Sequence, residues 1–446
     1  MTSSSFPASR PIDPATAAAV RVGLLGCGIV GSAVARVLTE SQEALRARVG
    51  VPVELARVAV RHPGKSRDVT LPDHLFTDDP ADVVGDPAID VVVEVIGGIE
   101  PARHLILEAI RSKKHVVTAN KELLASTGTE LLDAADAAGV ELLFEASVAG
   151  GIPIIRPMKE SLAGDKVKRV MGIVNGTTNF ILTRMAETGE SFAEALTEAA
   201  DLGYTEVDPS ADIEGHDAAA KLAILSSLAF GSYVLAGDVE REGISQVTPT
   251  DITSAHDLGY EVKLVAVAER SDAKISARVH PAMLPRTHPL ASVRNEFNAI
   301  FVEAERAGEI MFYGRGAGGA PTASAVVGDL IEAARSVSGS FQGPAYSHYT
   351  ARAEMTGPHE AKARYYLVLS VLDQPGVLAA VAGVFADNDV SIASVRQEGF
   401  GDEATLVLIT HSATESQHER TFSELSNLQV VDSIDSRMRV LGTEEG

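Results

Sequence analysis

Asp217 and Lys221 are the first residues whose types and spacing suggest chemistry. They lie four positions apart, so on a helix they share one face. From Ala218 to Phe230 the only other polar side chains are Ser226 and Ser227. An Asp–Lys pair at this spacing is usually a solvated surface ion pair. A helix that is apolar nearly all round is a buried helix, so this lysine is expected to face a cleft or a partner, where burial makes its pKa easy to shift.

Three further carboxylates precede this helix. Glu206, Asp208 and Asp212 surround Pro209, in a segment expected to be a loop that folds over the helix start. Acids folded over a lysine on a buried helix are more typical of an active site than of a solvated surface. The segment is therefore predicted to belong to an active site.

A glycine-rich turn near the N-terminus predicts the element that holds a cofactor. A short apolar strand, Val20–Leu25, runs into a GxGxxG turn, and Ser32–Leu38 is helical in pattern. Glycines at these positions permit a tight turn and let backbone N–H groups approach a pyrophosphate at the helix start. In this context the motif favours dinucleotide binding over a plain strand–helix turn. The predicted cofactor-binding residues of the turn are Gly26, Gly28, Ile29, Val30 and Gly31.

The end of the second strand predicts which coenzyme is preferred. An NAD site usually offers Asp or Glu after this strand to bind the ribose 2′-hydroxyl. Here Val53–Val60 is followed by Arg61, His62 and Lys65. Because cationic groups suit a 2′-phosphate, Arg61 and Lys65 are predicted to bind NADP(H), with NAD(H) as the alternative. In the competing interpretation Arg61 is a solvated loop residue.

Further strands alternate with helices and indicate a doubly wound parallel sheet. The predicted strands include Ile89–Ile96, His115–Thr118 and Leu142–Val148. Ligands bind at the carboxyl ends of such strands, where Gly97 and Lys121 fall. Lys121 is expected to face substrate and nicotinamide, although a surface lysine fits this pattern nearly as well.

Composition limits the class of protein. The 446 residues are 45% hydrophobic and 22% charged, which predicts about three globular domains. A net charge of -23 argues against nucleic acid or an anionic membrane as a partner. The single cysteine, Cys27, suits a reducing compartment, and no apolar run approaches the roughly 20 residues that span a bilayer. Residues 1–19 are polar and are predicted to be a disordered tail, so a cytoplasmic protein is expected.

The C-terminal region predicts a separate small module. Residues 336–363 lack periodicity and are rich in Gly, Ser and Pro, which is typical of a linker. The order strand, helix, strand, strand, helix, strand then predicts a ferredoxin-like fold. Its elements are expected at Tyr365–Leu372, Val377–Asp387, Val390–Gln397, Ala404–Thr410, Ser416–Leu425 and Val430–Ile434.

Taken together, these motifs resemble homoserine dehydrogenase of the longer, regulated type. The resemblance covers nearly the whole chain after residue 20. It is carried by the segments VGLLGCGIVG, EVIGGIEPAR, VVTANKELLA, FEASVAGGIPII, GIVNGTTNFIL, LGYTEVDPSADIEGHDAAAKLAIL and FYGRGAGGAPTASAVVGDL. The segment DQPGVLAAVAGVF resembles the ACT domain, a small-molecule regulatory module; a dimerisation module without ligand is the alternative.

The resemblance implies an α/β chain of three domains. A Rossmann-type NADP-binding domain is expected at 20–147 and an α+β catalytic and dimerisation domain at 148–335, whose final helix returns to the Rossmann domain. The linker 336–363 then leads to a ferredoxin-like ACT domain at 364–446. A homodimer or homotetramer is implied.

The resemblance also implies roles for single residues. Lys221 is the proton-transfer lysine, and Glu206, Asp212 and Asp217 hold the substrate. Lys121 is catalytic and contacts the coenzyme. Gly316 and Gly318 lie near the nicotinamide. Asn175 and Thr177 either hold the substrate carboxylate or cap a helix.

A monovalent cation, usually Na⁺, is implied beside the FEASVAGGIP turn. Its ligands would be Glu145 and the backbone carbonyls of Val148, Gly150 and Ile152. Oxygen-only ligation suits a hard cation. A buried acid paired with another donor is the alternative interpretation of Glu145.

The implied reaction is the NAD(P)H-dependent reduction of L-aspartate 4-semialdehyde to L-homoserine, in threonine and methionine biosynthesis. Feedback control by an amino acid, threonine, is expected through the ACT domain. The only cysteine lies in the phosphate-binding turn, which argues against an enzyme that forms a thioester from the same aldehyde. The alternative from a different class is a non-catalytic nucleotide- and amino-acid-sensing regulator on the same scaffold.

Overall fold

The computed structural model describes residues 18–205, 207–272, 274–339, 353–399 and 403–442. These residues fall into two compact units. The first unit lies within Met1–Gly151 and Gly318–Ser347, and the second lies within Ile152–Ala317 and His348–Gly446. The predicted tail, apart from its last two residues, lies outside the described residues.

The first unit contains a six-stranded parallel sheet with the strand order β3-β2-β1-β4-β5-β6. This order reverses beside β1, as in doubly wound dinucleotide-binding folds, so the predicted α/β fold class is confirmed. Its elements in chain order are β1 (Val20–Leu25), α1 (Ile29–Glu40), α2 (Gln42–Val49), β2 (Val53–Ala59), β3 (Phe76–Thr77), α3 (Ala81–Val84), β4 (Val91–Glu94), α4 (Ala102–Arg111), β5 (His115–Thr118), α5 (Lys121–Ala138) and β6 (Leu142–Leu143).

The second unit begins with a mixed α+β arrangement. Strands β12-β11-β7-β9-β10 form successive antiparallel pairs. The elements are β7 (Val167–Ile173), α6 (Gly176–Thr188), α7 (Phe192–Asp201), α8 (Ser210–Ile213), α9 (His216–Phe230), β8 (Glu240–Arg241), α10 (Pro249–Asp257), β9 (Tyr260–Ser271), β10 (Lys274–Pro285), β11 (Phe297–Ala304) and β12 (Gly308–Arg315).

Helix α9 is buried, as its apolar sequence predicts. Every residue from Ala218 to Ser227 is buried, and the helix packs against β7, β9 and β10. Because α9 is covered on most of its surface, the Lys221 side chain does not extend into bulk water and lies among mostly apolar neighbours.

A second buried lysine, Lys263 on β9, is 3% exposed. Its Nζ donates to Asn179 Oδ1 at 3.1 Å and to the Val293 carbonyl at 2.5 Å. Burial lowers the pKa of Lys263 to about 8 from 10.5. Because the folded chain releases this proton before the unfolded chain does, the lysine should make stability depend on pH.

The free energy of unfolding of the wild type, minus that of Lys263→Met, is expected to rise between pH 8 and pH 10.5. In that window the unfolded chain binds the proton that the folded chain has lost, so raising the pH favours folding. The difference should grow by at most about 3 kcal/mol. Urea unfolding of both proteins across this range measures it, and a difference independent of pH would contradict the lowered pKa.

After β12 the chain returns to the first unit as α11 (Gly319–Val337). This helix packs against α1, α2 and β5. The buried Asp329 carboxylate of α11 accepts a hydrogen bond from the Glu145 backbone N–H at 2.7 Å. The return of the final helix therefore completes the core of the first unit.

That contact explains one error of the sequence analysis. The predicted strand Leu142–Val148 ends at Leu143, and Glu145–Ser147 is a 3₁₀ turn. The Glu145 N–H pairs with Asp329 rather than with a neighbouring strand, and Ala149 and Gly150 follow with positive φ values of 55° and 54°. An apolar run does not reveal this because the capturing carboxylate lies far along the chain.

The C-terminal part of the second unit has the predicted βαββαβ order, with two extra short strands. Its four main strands pair in the order β18-β14-β16-β15 and are antiparallel. The elements are β13 (Glu354–Met355), β14 (Lys362–Leu372), α12 (Val377–Asp387), β15 (Ile392–Glu398), β16 (Glu403–Thr410), β17 (Ala413–Thr414), α13 (Glu415–Leu425) and β18 (Val431–Val440). We call this part the C-terminal module.

The predicted linker is wrong at both ends, because α11 continues to Val337 and strands occupy its last residues. Glu354–Met355 pairs with β10, and β14 already begins at Lys362. Residues 340–352 of the linker lie outside the described residues. Strand β18 also pairs with β10, so the module continues the sheet of the second unit. Two-residue strands lack a recognisable pattern, which is why sequence did not predict them.

No helix among the described residues is long and apolar enough to cross a membrane.

Candidate active site

Two helix starts in the second unit bring predicted acids together. Asn175 caps α6 by accepting a hydrogen bond from Thr178 N–H at 2.9 Å. Its side-chain Nδ2 donates to Asp212 Oδ1 at 2.7 Å and to Asp217 Oδ2 at 2.9 Å. Both amide protons are thus used on carboxylates, so Asn175 caps the helix and fixes the two acids relative to each other.

Lys221 lies beside the same carboxylates. It is 9% exposed, and its Nζ donates to Asp217 Oδ2 at 2.7 Å and to the Val174 carbonyl at 2.6 Å. The Val174 carbonyl follows directly after the last residue of β7. These contacts hold a positive charge in one place, which is what stabilisation of a developing oxyanion requires.

The surroundings of Asp212 shift the pKa of its carboxyl group. Burial raises the pKa of Asp212; the Asp217 charge adds to this, and hydrogen bonds from Asn175 and Thr177 oppose it. Thr177 Oγ1 lies 2.7 Å from the Tyr204 carbonyl and 3.1 Å from Asp212 Oδ2. A hydroxyl has one proton, so when the Tyr204 carbonyl receives it, a proton on Asp212 completes the second contact.

The remaining predicted acid of the loop, Glu206, lies outside the described residues. Asp208 is exposed and accepts hydrogen bonds from Ser210 N–H at 3.0 Å and from Ser210 Oγ. Asp208 therefore bonds to Ser210, the first residue of α8. The other predicted residues form one hydrogen-bonded group, which we call the acid–lysine cluster: Asn175, Thr177, Asp212, Asp217 and Lys221.

In the first unit, two glycines of the predicted cofactor turn, Gly26 and Gly31, are required by local geometry. Gly26 has a φ of 98°, and its N–H donates to the Ala59 carbonyl at 3.0 Å. A Cβ on Gly31 would lie 2.3 Å from the Gly26 carbonyl oxygen. Gly28 precedes α1 without a side-chain cap, and the first turn carries no acid. The helix start therefore offers N–H groups to an anion, which fits a pyrophosphate.

A cleft of about 620 Å³ opens at this turn. It brings together five of the predicted cofactor-binding residues: Gly26, Gly28, Ile29, Arg61 and Lys65. Val30 and Gly31 lie in the first turn of α1. The residues present therefore fit a dinucleotide. Cys27 also lines the cleft, and its Sγ lies 3.5 Å from Ser32 Oγ.

The carboxyl ends of β4 and β5 are organised by Glu94, which the sequence analysis did not single out. Its buried carboxylate accepts hydrogen bonds from Ile96 N–H at 2.8 Å, Gly97 N–H at 3.1 Å and Thr118 Oγ1 at 2.6 Å. The sequence signal that could have identified Glu94 is an acid at the last position of an otherwise apolar strand. The Glu94 carboxylate holds Gly97, which has a φ of 75°, in a defined turn.

Lys121 lies at the same sheet edge. It is the first residue of α5, and the preceding Asn120 caps the helix by accepting from Leu123 N–H at 3.1 Å. Asn120 Nδ2 also donates to the Gly98 carbonyl at 2.6 Å. The start of α5 is thereby tied to the turn after β4.

The predicted cation ligands have suitable chemistry. Glu145 is 5% exposed, and Val148 and Ile152 are buried. Glu145, Val148 and Gly150 belong to the first unit, and Ile152 is the first residue of the second. One carboxylate with three carbonyl oxygens is a donor set for a hard cation. Among the described residues, no group of three or more His, Cys, Asp and Glu side chains forms a metal site.

Gly316 and Gly318 are both required by local geometry. A Cβ on Gly316 would lie 1.9 Å from Asn298 Nδ2. Gly318 has a φ of 120° and precedes α11. Their predicted role near the nicotinamide remains a prediction, because these constraints arise within each unit.

Comparison with known families identifies the chain. A family model described as homoserine dehydrogenase matches residues 153–331, and one described as homoserine dehydrogenase, NAD binding domain, matches residues 26–145. The homoserine dehydrogenase of Mycobacterium tuberculosis is 51% identical over 435 residues, covering 95% of this chain and 98% of that protein. The chain belongs to the homoserine dehydrogenase family. An ACT domain model matches residues 365–429, so the C-terminal module is an ACT domain.

Solved structures of the family agree. A homoserine dehydrogenase from Thiobacillus denitrificans has a TM-score of 0.88 and 39% identity, covering 95% of this chain and 98% of that one. A hyperthermophilic archaeal homoserine dehydrogenase, in complex with NADPH, has a TM-score of 0.61 and 30% identity, covering 71% of this chain and 98% of that one. The sequence resemblance to homoserine dehydrogenase is confirmed, as is the predicted C-terminal ACT domain.

Proposed function

We propose that this chain catalyses the NADPH-dependent reduction of L-aspartate 4-semialdehyde to L-homoserine. The observation that carries the proposal is the acid–lysine cluster, in which Asp217 and the Val174 carbonyl hold the Lys221 ammonium. An aldehyde reductase needs a positioned proton donor, and the cluster supplies one within the segment that matches the dehydrogenase family model.

The chemistry assigns a role to Lys221. NADPH, when bound, supplies the hydride that adds to the aldehyde carbon. As that bond forms, the carbonyl electron pair moves onto oxygen, and the Lys221 ammonium stabilises the charge and donates a proton to give the alcohol. Asp217 orients the ammonium throughout. We also propose Lys121, at the carboxyl edge of the first sheet, as a catalytic residue that contacts the coenzyme.

Substrate binding falls to the acids of the second unit. The substrate carries an α-ammonium group, and Glu206, Asp212 and Asp217 are proposed to bind it. Thr177 is proposed to contact its carboxylate. Asn175 is assigned to positioning, because both of its amide protons are donated to Asp212 and Asp217.

The first unit is proposed to bind the coenzyme, with Gly97 contacting it and with Gly316 and Gly318 near the nicotinamide. NADP(H) is preferred because Arg61 and Lys65 line the cleft, where an NAD site would offer an acid. Na⁺ is proposed at Glu145 and the carbonyls of Val148, Gly150 and Ile152.

We propose a coenzyme-binding domain at 20–147 and a catalytic and dimerisation domain at 148–335. The ACT domain, predicted at 364–446, is proposed to begin at Lys362 with β14. The protein is proposed to be cytoplasmic, since a single cysteine suits a reducing compartment. It is also proposed to form a homodimer or homotetramer, as the family resemblance implies. The ACT domain is proposed to bind an amino acid, threonine, as a feedback inhibitor. An effector that acts away from the active site must bind two conformations with different affinity.

A spectrophotometric assay tests the proposed reaction directly. The full-length chain, supplied with L-homoserine and NADP⁺, should generate reduced nicotinamide absorbance, and the reverse assay should consume it with L-aspartate 4-semialdehyde. An absence of turnover in both directions, with coenzyme still bound in a calorimetric titration, would favour the non-catalytic sensor instead.

Arg61→Ala is expected to raise the KM for NADPH by about tenfold or more, the range for one charged hydrogen bond, with the KM for NADH little changed. Only NADPH carries the 2′-phosphate that a guanidinium can clamp. Initial rates with both coenzymes measure this selectivity. Equal changes for the two coenzymes would remove Arg61 as the selecting residue and leave Lys65.

A further inference from the structure

The loop after β2, Arg61–Asp68, forms one wall of the dinucleotide cleft. Residues 61–66 of this loop are exposed, whereas Arg67 is half-buried. The Arg67 guanidinium donates to three backbone carbonyls of the same loop, at 2.6 Å to His62, 2.9 Å to Pro63 and 2.6 Å to Lys65. It also lies 4.9 Å from the centre of the Phe76 ring on β3.

Because these carbonyls point toward Arg67, the direction of the N–H group in the same peptide units is also determined. In a trans peptide the C=O and the following N–H point in opposite directions. The carbonyls of Pro63 and Lys65 turn toward Arg67, so the N–H groups of Gly64 and Ser66 turn away from it. The Lys65 N–H closes the turn by donating to the His62 carbonyl at 3.2 Å. The negative ends of the peptide dipoles are thus gathered on one cation.

The far end of the loop is neutralised separately. Asp68 lines the cleft and would repel a phosphate, but its Oδ2 lies 2.9 Å from Arg36 Nη2 on α1. Arg36 also donates to the Asp68 carbonyl. The loop is therefore fastened to β3 through Arg67 and to α1 through Arg36, the helix whose start faces the cleft.

These contacts leave different tasks to the basic residues. Arg61 and Lys65 are exposed and line the cleft, so their charges are available to an anion. Arg67 lines the cleft as well, but its Nη1 and Nη2 donate to loop carbonyls and one face of its guanidinium lies on the Phe76 ring. An anion at this wall would otherwise meet carbonyl oxygens, which repel it.

We propose that Arg67 is a positioning residue that shapes the 61–68 loop into the anion site for the coenzyme's 2′-phosphate and so sets the preference for NADP(H). The inference rests on the proposed NADP(H) preference and deepens it. Arg61 and Lys65 provide the charge, and Arg67 provides the loop conformation that aims it.

Calorimetric titration of the full-length protein with adenosine 2′,5′-bisphosphate and with adenosine 5′-monophosphate tests this without turnover. Arg67→Ala should weaken binding of the bisphosphate about 10- to 100-fold, the range for one or two charged hydrogen bonds, and leave the monophosphate unchanged. In steady-state assays, the KM for NADPH should rise while kcat at saturation and the KM for NADH remain near wild type.

Two further variants make the test specific. Arg67→Lys keeps the charge but cannot hold three separated carbonyls in a planar fork, so it should resemble Arg67→Ala. Arg103→Ala removes a surface arginine of the same unit that pairs with Glu130 and should bind both ligands as the wild type does.

The outcomes separate the inference from the function on which it rests. An Arg67→Ala protein that still prefers the bisphosphate as strongly as the wild type overturns the positioning role. So does an Arg67→Lys protein with wild-type affinity, since charge alone would then suffice, or an equal loss of both ligands. A wild-type protein that binds the two ligands equally overturns the proposed NADP(H) preference itself, and this inference with it, while homoserine oxidation with NAD⁺ would still support the dehydrogenase.

Discussion

Lys221→Ala is expected to lower kcat by about 10²- to 10⁴-fold, the usual contribution of a general acid, while affinity for NADP(H) stays near wild type. The ammonium is the proposed proton donor of the acid–lysine cluster, and alanine would leave the developing alkoxide without one. Coenzyme affinity should persist because the dinucleotide cleft is lined by residues of the first unit. Initial rates in both directions and a calorimetric titration with NADPH measure the two effects.

Two controls separate lost chemistry from lost structure. Lys221→Arg keeps a positive charge but is a poor acid, so it should remain far slower than wild type. Lys263→Met removes another buried lysine of the same unit and should retain turnover. Turnover of Lys221→Ala within a few-fold of wild type would exclude Lys221 as the proton donor.

Glu415→Ala is expected to destabilise the protein by about 3–5 kcal/mol, the cost of removing one partner from a buried ion pair. Glu415 begins α13 and is 4% exposed. It accepts hydrogen bonds from Arg439 Nε at 2.7 Å, Arg278 Nη1 at 3.3 Å and the Tyr365 hydroxyl at 2.7 Å. Burial alone would raise the pKa of Glu415. The hydrogen bond and charge of Arg439, the hydrogen bond from Tyr365 and the charge of Arg278 together outweigh burial and hold the pKa below its ordinary value.

Chemical denaturation at neutral pH measures the loss in Glu415→Ala. Glu415→Gln can still accept hydrogen bonds but lacks the charge, so it should fall between wild type and alanine. Glu419→Ala, on the exposed side of the same helix, loses only a surface contact with His359 and should change stability by less than about 1 kcal/mol. A loss of that small size for Glu415→Ala would show that the two arginines are solvated without it.

The same contacts join the ACT domain to the sheet of the second unit. Arg278 lies on β10, and Arg439 on β18 forms an ion pair with Glu242 at 2.9 Å. Gly243, the residue after Glu242, packs closely against Ile213, the residue after Asp212: a Cβ on Gly243 would lie 2.4 Å from the Ile213 carbonyl oxygen. A truncation before residue 364 would remove Glu415 and leave the buried Arg278 without this partner. Such a truncation could destabilise the second unit, so single substitutions in the ACT domain are a cleaner test of regulation.

Sequence alone determined the features that depend on neighbours along the chain. The strand–turn–helix around Gly26 and Gly31, the four-residue spacing of Asp217 and Lys221, and the apolar character of α9 each follow from local sterics and periodicity. For the same reason the element order of the sheet and of the C-terminal module was predictable. The errors include very short strands, a strand ended by a distant side chain, and the short helix α8 in the segment predicted to be a loop.

Tertiary structure alone decided the contacts between distant residues. Asn175 joins Asp212 and Asp217, which lie 37 and 42 residues further along the chain. Glu415 meets Arg278 across 137 residues, and Asp329 accepts the Glu145 N–H, just beyond the strand that ends at Leu143, across 184 residues. Even Arg67, two residues from the predicted Lys65, was overlooked, because its role depends on where three carbonyls point. Residue types specify which groups can pair, but only the folded chain determines which of them are brought within hydrogen-bond distance.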